Sequence, residues 1–113
     1  MIRVTVIDNE AIIKSVFENF TDNTLMAWAQ ENEKNSGYCI FKKSGEIVAV
    51  IDKDDVFELL IRATLNYLDL NGVDTGFSEN EELFSELKKL GFTQKEKSCE
   101  VDIKTFFKPC CNH

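Results

Sequence analysis

The sequence has no apolar run long enough to cross a membrane, and it has one histidine among its 113 residues. A membrane-spanning helix needs about 20 apolar residues. The apolar N-terminus, from Met1 to Ile7, ends at Asp8 and is also too short for a signal-peptide core. We therefore expect a cytoplasmic protein without a membrane partner. The histidine is the last residue, His113, which is too terminal to serve as a convincing general base.

Positive charge is also scarce. The chain has 13 Lys and Arg against 20 Asp and Glu, for a net charge of -7. Such a field repels phosphate backbones, so we expect no nucleic-acid partner. The 43% of hydrophobic and 29% of charged residues are ordinary for a globular protein. A chain of this length has room for one hydrophobic core, and we expect a single domain over residues 1–108 with a tail at 109–113.

Four cysteines allow two disulfides on paper, but a reducing compartment keeps thiols free. We expect Cys39 and Cys99 to lie in the core as small hydrophobic residues. Cys110, Cys111 and His113 are ligand types that suit zinc or copper. Adjacent cysteines fit poorly around one tetrahedral ion, and chain ends fray. We therefore expect no metal site.

The N-terminal half mixes the two kinds of hydrophobic periodicity. Residues 3–7 alternate as in a strand, and an apolar stripe at helical spacing after Asp8 predicts a helix. Residues 24–30 are interpreted as a second short helix, with Trp28 on its apolar face, and 31–37 as a polar loop. Residues 38–51 predict a hairpin that turns near Gly45.

The C-terminal half is punctuated by helix signals. Asp55 and Glu58 match a capping box in front of a largely apolar helix that ends at Asn71-Gly72. Residues 73–77 alternate as a strand. A second box, Ser78 and Glu81, opens a helix that Gly91 closes, and a final strand follows from Phe92. The predicted order is βααββαβαβ, an α/β (α+β) fold.

This order resembles the GNAT superfamily, which transfers acyl groups from acyl-coenzyme A to amines. The resemblance covers most of the chain. It is carried by the strand at residues 45–51 and by Leu90-Gly91-Phe92, in which Gly91 lies eleven residues after Asn80. It implies a mixed central sheet with helices on both faces, acetyl-CoA as cofactor, an amine or small-molecule substrate, and Asn80 as a cofactor-binding residue. It also places Met26 and Trp28 on the substrate side, although a core or interface role suits that tryptophan as well.

The chain departs from the family pattern before its central helix. One strand and the glycine loop that holds a pyrophosphate are absent by count. We therefore expect either that residues 46–51 take the place of the missing strand or that the sheet is one strand shorter than typical. Asp52, Asp54 and Asp55 stand there instead. Each like-charge contact at about 4 Å costs on the order of 1 to 4 kcal/mol. These acids are interpreted as a solvated helix cap, with a metal-binding or amine-binding role as the alternative.

Two functional hypotheses follow. The first is an N-acetyltransferase with an incomplete pyrophosphate loop and catalytic residues that remain unknown, because Leu83 and Leu87 occupy the small-residue and tyrosine positions of the family pattern. The second is a non-catalytic binding or dimerisation module on the same scaffold, in which a homodimer covers the edge of a shortened sheet.

Overall fold

The structure is a computed structural model that describes residues 1–107 of the chain. Cys110, Cys111 and His113 lie outside the described residues. The strands are β1 Ile2–Ile7, β2 Thr24–Glu31, β3 Lys34–Lys42, β4 Ile47–Asp52, β5 Thr75–Ser78, β6 Thr93–Gln94 and β7 Cys99–Asp102. The helices are α1 Glu10–Lys14, α2 Phe57–Leu70, α3 Phe84–Lys89 and α4 Ile103–Phe107, with a 3-10 turn at Glu81–Leu83 before α3.

The strands form two antiparallel sheets. The N-terminal sheet has the order β1-β2-β3-β4, and the C-terminal sheet has the order β5-β7-β6. Helix α2 covers one face of the N-terminal sheet, where its Leu60, Ile61, Leu65 and Leu68 are fully buried. Ile13 of α1 packs on the opposite face with Met26 and Ile40. The predicted α/β class, with helices on both faces of the sheet, is confirmed.

The predicted helix at 24–30 is wrong, because these residues form β2. Its side chains alternate between the two covered faces, with Ala27 in the α2 core and Met26 in the cluster around Ile13. Both faces are apolar, so the sequence shows no period of two, and the pairing with β1 and β3 decides the conformation.

The predicted loop at 31–37 is largely strand as well. Asn32 and Glu33 make a two-residue turn with φ of 53° and 69°, and β3 begins at Lys34. Positive φ at both central residues is the hairpin geometry that matches strand twist. Four strands therefore precede α2. The expected shortening of the sheet by one strand is wrong, because β2 supplies the strand that was counted as absent.

Two other element boundaries differ from the predicted ones. The first helix is capped by Asn9, whose Oδ1 accepts a hydrogen bond from the Ile12 N–H at 3.0 Å, and it ends at Lys14. The predicted last strand divides into β6, β7 and α4. Its alternation holds within β7, where Cys99 and Val101 are buried, whereas Ile103 is buried from the start of α4.

None of the helices that the structure describes is both long and apolar enough to cross a membrane.

The predicted hairpin between β3 and β4 is confirmed, and its turn contacts β5. The Gly45 N–H donates to the Lys42 carbonyl at 2.9 Å, and Gly45 has a φ of 108°. A Cβ at Gly45 would clash with the Thr75 carbonyl and lie 3.3 Å from Val73 Cγ1. A side chain at this turn would therefore strain the backbone and push β5 away.

We predict that Gly45→Ala lowers the free energy of unfolding by roughly 2 to 4 kcal/mol, the sum of backbone strain and overpacking. Gly72→Ala is the matched control, since Gly72 also has positive φ, 81°, but no atom lies within 4 Å of its added Cβ. It should cost only about 1 to 2 kcal/mol. Urea unfolding of both variants measures the difference, and equal losses would contradict the proposed contact with β5.

Candidate functional site

The candidate site lies where β4 meets β5. These strands are parallel neighbours joined by one bridge, Glu46 with Phe77, and the Phe77 N–H donates to the Gly45 carbonyl at 3.0 Å. Within residues 1–107 no further β-bridge connects the two sheets. β5 ends at Ser78, so beyond that point the β5-facing side of β4 is left without a strand partner. We call this unpaired stretch the opening.

A β-bulge in β4 shapes this opening. Phe41 pairs with Ile47 and Ile40 pairs with Ala49, which leaves Val48 as an extra residue. The Ile47 carbonyl accepts a hydrogen bond from Ser78 Oγ at 2.7 Å, and the Val48 carbonyl accepts one from Asn80 Nδ2 at 3.1 Å. We call these two contacts the Ser78–Asn80 bridge. It replaces main-chain pairing just beyond the junction of the strands.

Asn80 also caps the 3-10 turn that leads into α3. Its Oδ1 accepts from the Glu82 N–H at 3.1 Å, and its own N–H donates to Ser78 Oγ at 3.1 Å. The predicted capping box of Ser78 and Glu81 is therefore wrong, because Ser78 is buried against β4 and Asn80 is the cap. The cofactor-binding role of Asn80 stays a prediction. Both the nitrogen and the oxygen of its side-chain amide are hydrogen-bonded to main-chain groups of the protein.

The start of α2 lies at the far end of β4. Asp52 Oδ1 accepts from the Val56 N–H at 2.7 Å. Asp55 has a φ of 60°, and the helix begins after Val56 without a side-chain cap of its own. The predicted box of Asp55 and Glu58 is wrong, since Glu58 instead pairs with Arg62 at 2.9 Å. Of the three acids, Asp52 therefore makes a hydrogen bond to the residue directly before the helix.

A shallow depression of about 370 Å³ adjoins this helix start. It is lined by Glu31, Asn32, Lys34, Ser36 and Asp54. Two carboxylates face one ammonium there, so the depression offers no net positive charge to an anion. The backbone ties it to the helix start, because the Lys53 N–H donates to the Ser36 carbonyl at 3.1 Å.

The remaining predicted residues lie in the interior or on the opposite face of the sheet. Leu83 and Leu87 are buried in the α2 core, and their aliphatic side chains have no proton to donate. Trp28 is half-buried on the face opposite α2, where its Nε1 donates to Asn35 Oδ1 at 3.1 Å. Asn35 also accepts from the Gly37 N–H, so this tryptophan helps to hold the β2–β3 bulge.

The cysteines within the described residues are structural. Cys39 and Cys99 are both buried, as predicted. Burial raises the pKa of the Cys39 thiol to about 12. A thiol with that pKa is not a nucleophile near neutral pH. Residues 1–107 contain no group of three or more His, Cys, Asp or Glu side chains placed to hold a metal ion.

Comparison of the whole chain with solved structures gives the same architecture. A GNAT-family protein from Desulfovibrio desulfuricans matches with a TM-score of 0.70 and 10% identity, over 91% of this chain and 99% of that protein. The chain has the GNAT fold. No family model and no curated protein matches the sequence.

Two further solved proteins with this architecture are N-acetyltransferases. The ribosomal-protein-S18-alanine N-acetyltransferase of Escherichia coli has a TM-score of 0.69 and 13% identity, over 91% of this chain and 94% of that one. The PaiA N-acetyltransferase of Thermoplasma acidophilum, solved with coenzyme A, has a TM-score of 0.61 and 16% identity, over 83% and 67%. At such identities the likeness establishes the fold alone.

We predict that the two roles of Asn80 can be separated by substitution. Asn80→Ser keeps a capping oxygen but cannot reach Val48, so it should cost about 0.5 to 1.5 kcal/mol of stability, the net value of one hydrogen bond. Asn80→Ala also loses the cap and should cost about 1 kcal/mol more. Chemical denaturation measures both values, and amide hydrogen exchange should locate the loss in β4. Wild-type exchange in β4 for both variants would contradict the bridge.

Proposed function

We propose that this chain is a cytoplasmic N-acyltransferase that binds an acyl-coenzyme A-type thioester in the opening between β4 and β5 and passes the acyl group to an amine or another small-molecule acceptor. The observation that carries the proposal is that β4 and β5 share one parallel bridge, at Glu46 and Phe77, and are not paired beyond it, where β4 has a β-bulge. This arrangement leaves one side of β4 without a strand partner, beside a helix start. The similarity to a GNAT-fold protein solved with coenzyme A supports it.

The two ends of such a ligand meet different surroundings. Its thioester arm is uncharged and resembles a peptide, so it suits the free side of β4 beyond Val48, in the manner of an added strand. Its pyrophosphate would reach the start of α2, where Asp52, Asp54 and Asp55 are all exposed. The incomplete phosphate loop inferred from the sequence is consistent with this arrangement.

The chemistry asks little of the protein beyond position. A bound thioester supplies an activated carbonyl carbon, to which the amine nitrogen forms a bond as the carbon–sulfur bond breaks. An N–H of β4 that points into the opening would polarise the carbonyl. The amine proton leaves to water or to a base, and a proton returns to the departing sulfur. The residues that move these protons are unassigned.

We predict that acetyl-CoA binds at this opening. In a two-dimensional amide NMR titration, the largest shift changes should fall on residues 48–52 and 77–80, because these line the parted strands. Residues 2–6 of β1 serve as an internal reference, because β2 and β3 separate β1 from β4. No shift change at about 1 mM ligand, which corresponds to a binding free energy weaker than about -4 kcal/mol, would overturn the proposal.

The second candidate is a non-catalytic binding or dimerisation module on the same fold. The acids at the α2 start and the buried Leu87 favour it, since both depart from the pattern that the resemblance implies. The sheet is not shortened, so the long open edge that a second copy would cover is β1.

Light scattering tests the dimer. The module hypothesis predicts twice the chain mass of 12.9 kDa, and acetyl-CoA with candidate amines should give no acyl transfer. A monomer that turns over an amine acceptor would contradict it.

A further inference from the structure

We infer that the donor is recognised through its acyl-pantetheine arm and not through its nucleotide, so that the ligand class is acyl-pantetheine thioesters with or without the adenosine diphosphate end. This rests on the proposed function and narrows it. The opening between β4 and β5 favours the arm, and the charges at the start of α2 oppose the phosphates of the nucleotide.

The first step concerns the donors at the start of α2. A helix start binds a pyrophosphate through free N–H groups on its first turn. The helix begins at Phe57, and Asp52 Oδ1 accepts at 2.7 Å from the N–H of Val56, the residue directly before it. A phosphate that approached the first-turn N–H groups, on residues 57–59, would therefore meet a carboxylate that the protein itself holds at this helix start.

The second step concerns charge. Asp52, Asp54 and Asp55 are exposed within four residues, with Lys53 as the one cation among them. The adjoining depression adds Glu31 and Lys34 to this surface. The surface therefore has four carboxylates against three ammonium groups, those of Lys34, Lys53 and the N-terminus of Met1, which lies 4.0 Å from Glu31. The whole chain carries a net charge of -7. Both the local and the long-range field oppose a pyrophosphate.

The third step concerns the arm. The Ser78–Asn80 bridge satisfies the two carbonyls of the bulge, Ile47 and Val48, so the β5-facing side of β4 is open to a ligand only from Ala49 onward. That stretch, up to Asp52, matches a short uncharged arm whose amides can pair with a strand. Affinity should therefore come from the arm and the acyl group.

The experiment compares three donors that differ only in their phosphates: S-acetyl-pantetheine, S-acetyl-4'-phosphopantetheine and acetyl-CoA. Calorimetric titration into the full chain should give dissociation constants that stay within about threefold or weaken along the series. Between about 10 mM and 100 mM salt, over which the Debye length falls from roughly 30 to 10 Å, the affinity for acetyl-CoA should rise, because screening relieves repulsion.

A charge variant tests the cause. Asp54→Asn with Asp55→Gly removes two carboxylates, keeps the Asp52 contact and places glycine at a positive φ, so the fold should be retained. It should bind acetyl-CoA at least about fivefold more tightly and leave S-acetyl-pantetheine unchanged. The matched control, Glu18→Gln with Glu96→Gln, changes the net charge equally at exposed positions outside this segment and should have a much smaller effect.

The outcomes separate the two claims. Acetyl-CoA that binds tenfold or more tightly than S-acetyl-pantetheine, with an affinity that falls as salt rises, would overturn the inference while the proposed function stands. Binding of none of the three donors would overturn the proposed function and the inference together.

Discussion

The packing of α2 against both sheets is the constraint on which the rest of the structure depends. Between the sheets, in the described part of the chain, there is one bridge of main-chain pairing, so the apolar faces of α2 hold them together. Leu65 shows how close this packing is, since a Cβ at Gly76 of β5 would lie 2.6 Å from Leu65 Cδ2. A helix that holds two sheets from one side allows them to part on the other without loss of the core.

The parting of the strands creates a backbone problem that side chains solve. Carbonyls that leave a ladder and are buried cost free energy unless they find another donor. Ser78 and Asn80 supply donors to Ile47 and Val48 from the residues that follow β5. The opening therefore begins after Val48, the last residue of β4 whose carbonyl these two side chains bond.

The two ends of β4 have opposite character. At its start Ser78 and Asn80 bond the Ile47 and Val48 carbonyls. At its end Asp52 Oδ1 accepts from the Val56 N–H directly before α2, and Asp54 and Asp55 are exposed. The free edge of β4 therefore runs toward an acidic surface, whose field opposes an anion at the start of α2.

The sequence by itself determined the elements whose signals are local. The apolar run before Asn71-Gly72 identifies α2, Gly45 identifies the β3–β4 turn, and Gly91 identifies the end of the helical segment that contains α3, because caps and turns act over three to five residues. The overall GNAT resemblance followed from the order of these elements.

Only the tertiary structure decided the conformation of residues 24–30, because side chains buried on two faces carry no period that distinguishes a strand from a short helix. It also decided which acid and which amide are bonded. Asp52 rather than Asp55 meets the start of α2, and Asn80 rather than Ser78 caps the turn, since those choices depend on β4 and the bulge more than thirty residues away from Asn80. Long-range pairing selects among local hydrogen-bonding options that a sequence presents as equivalent.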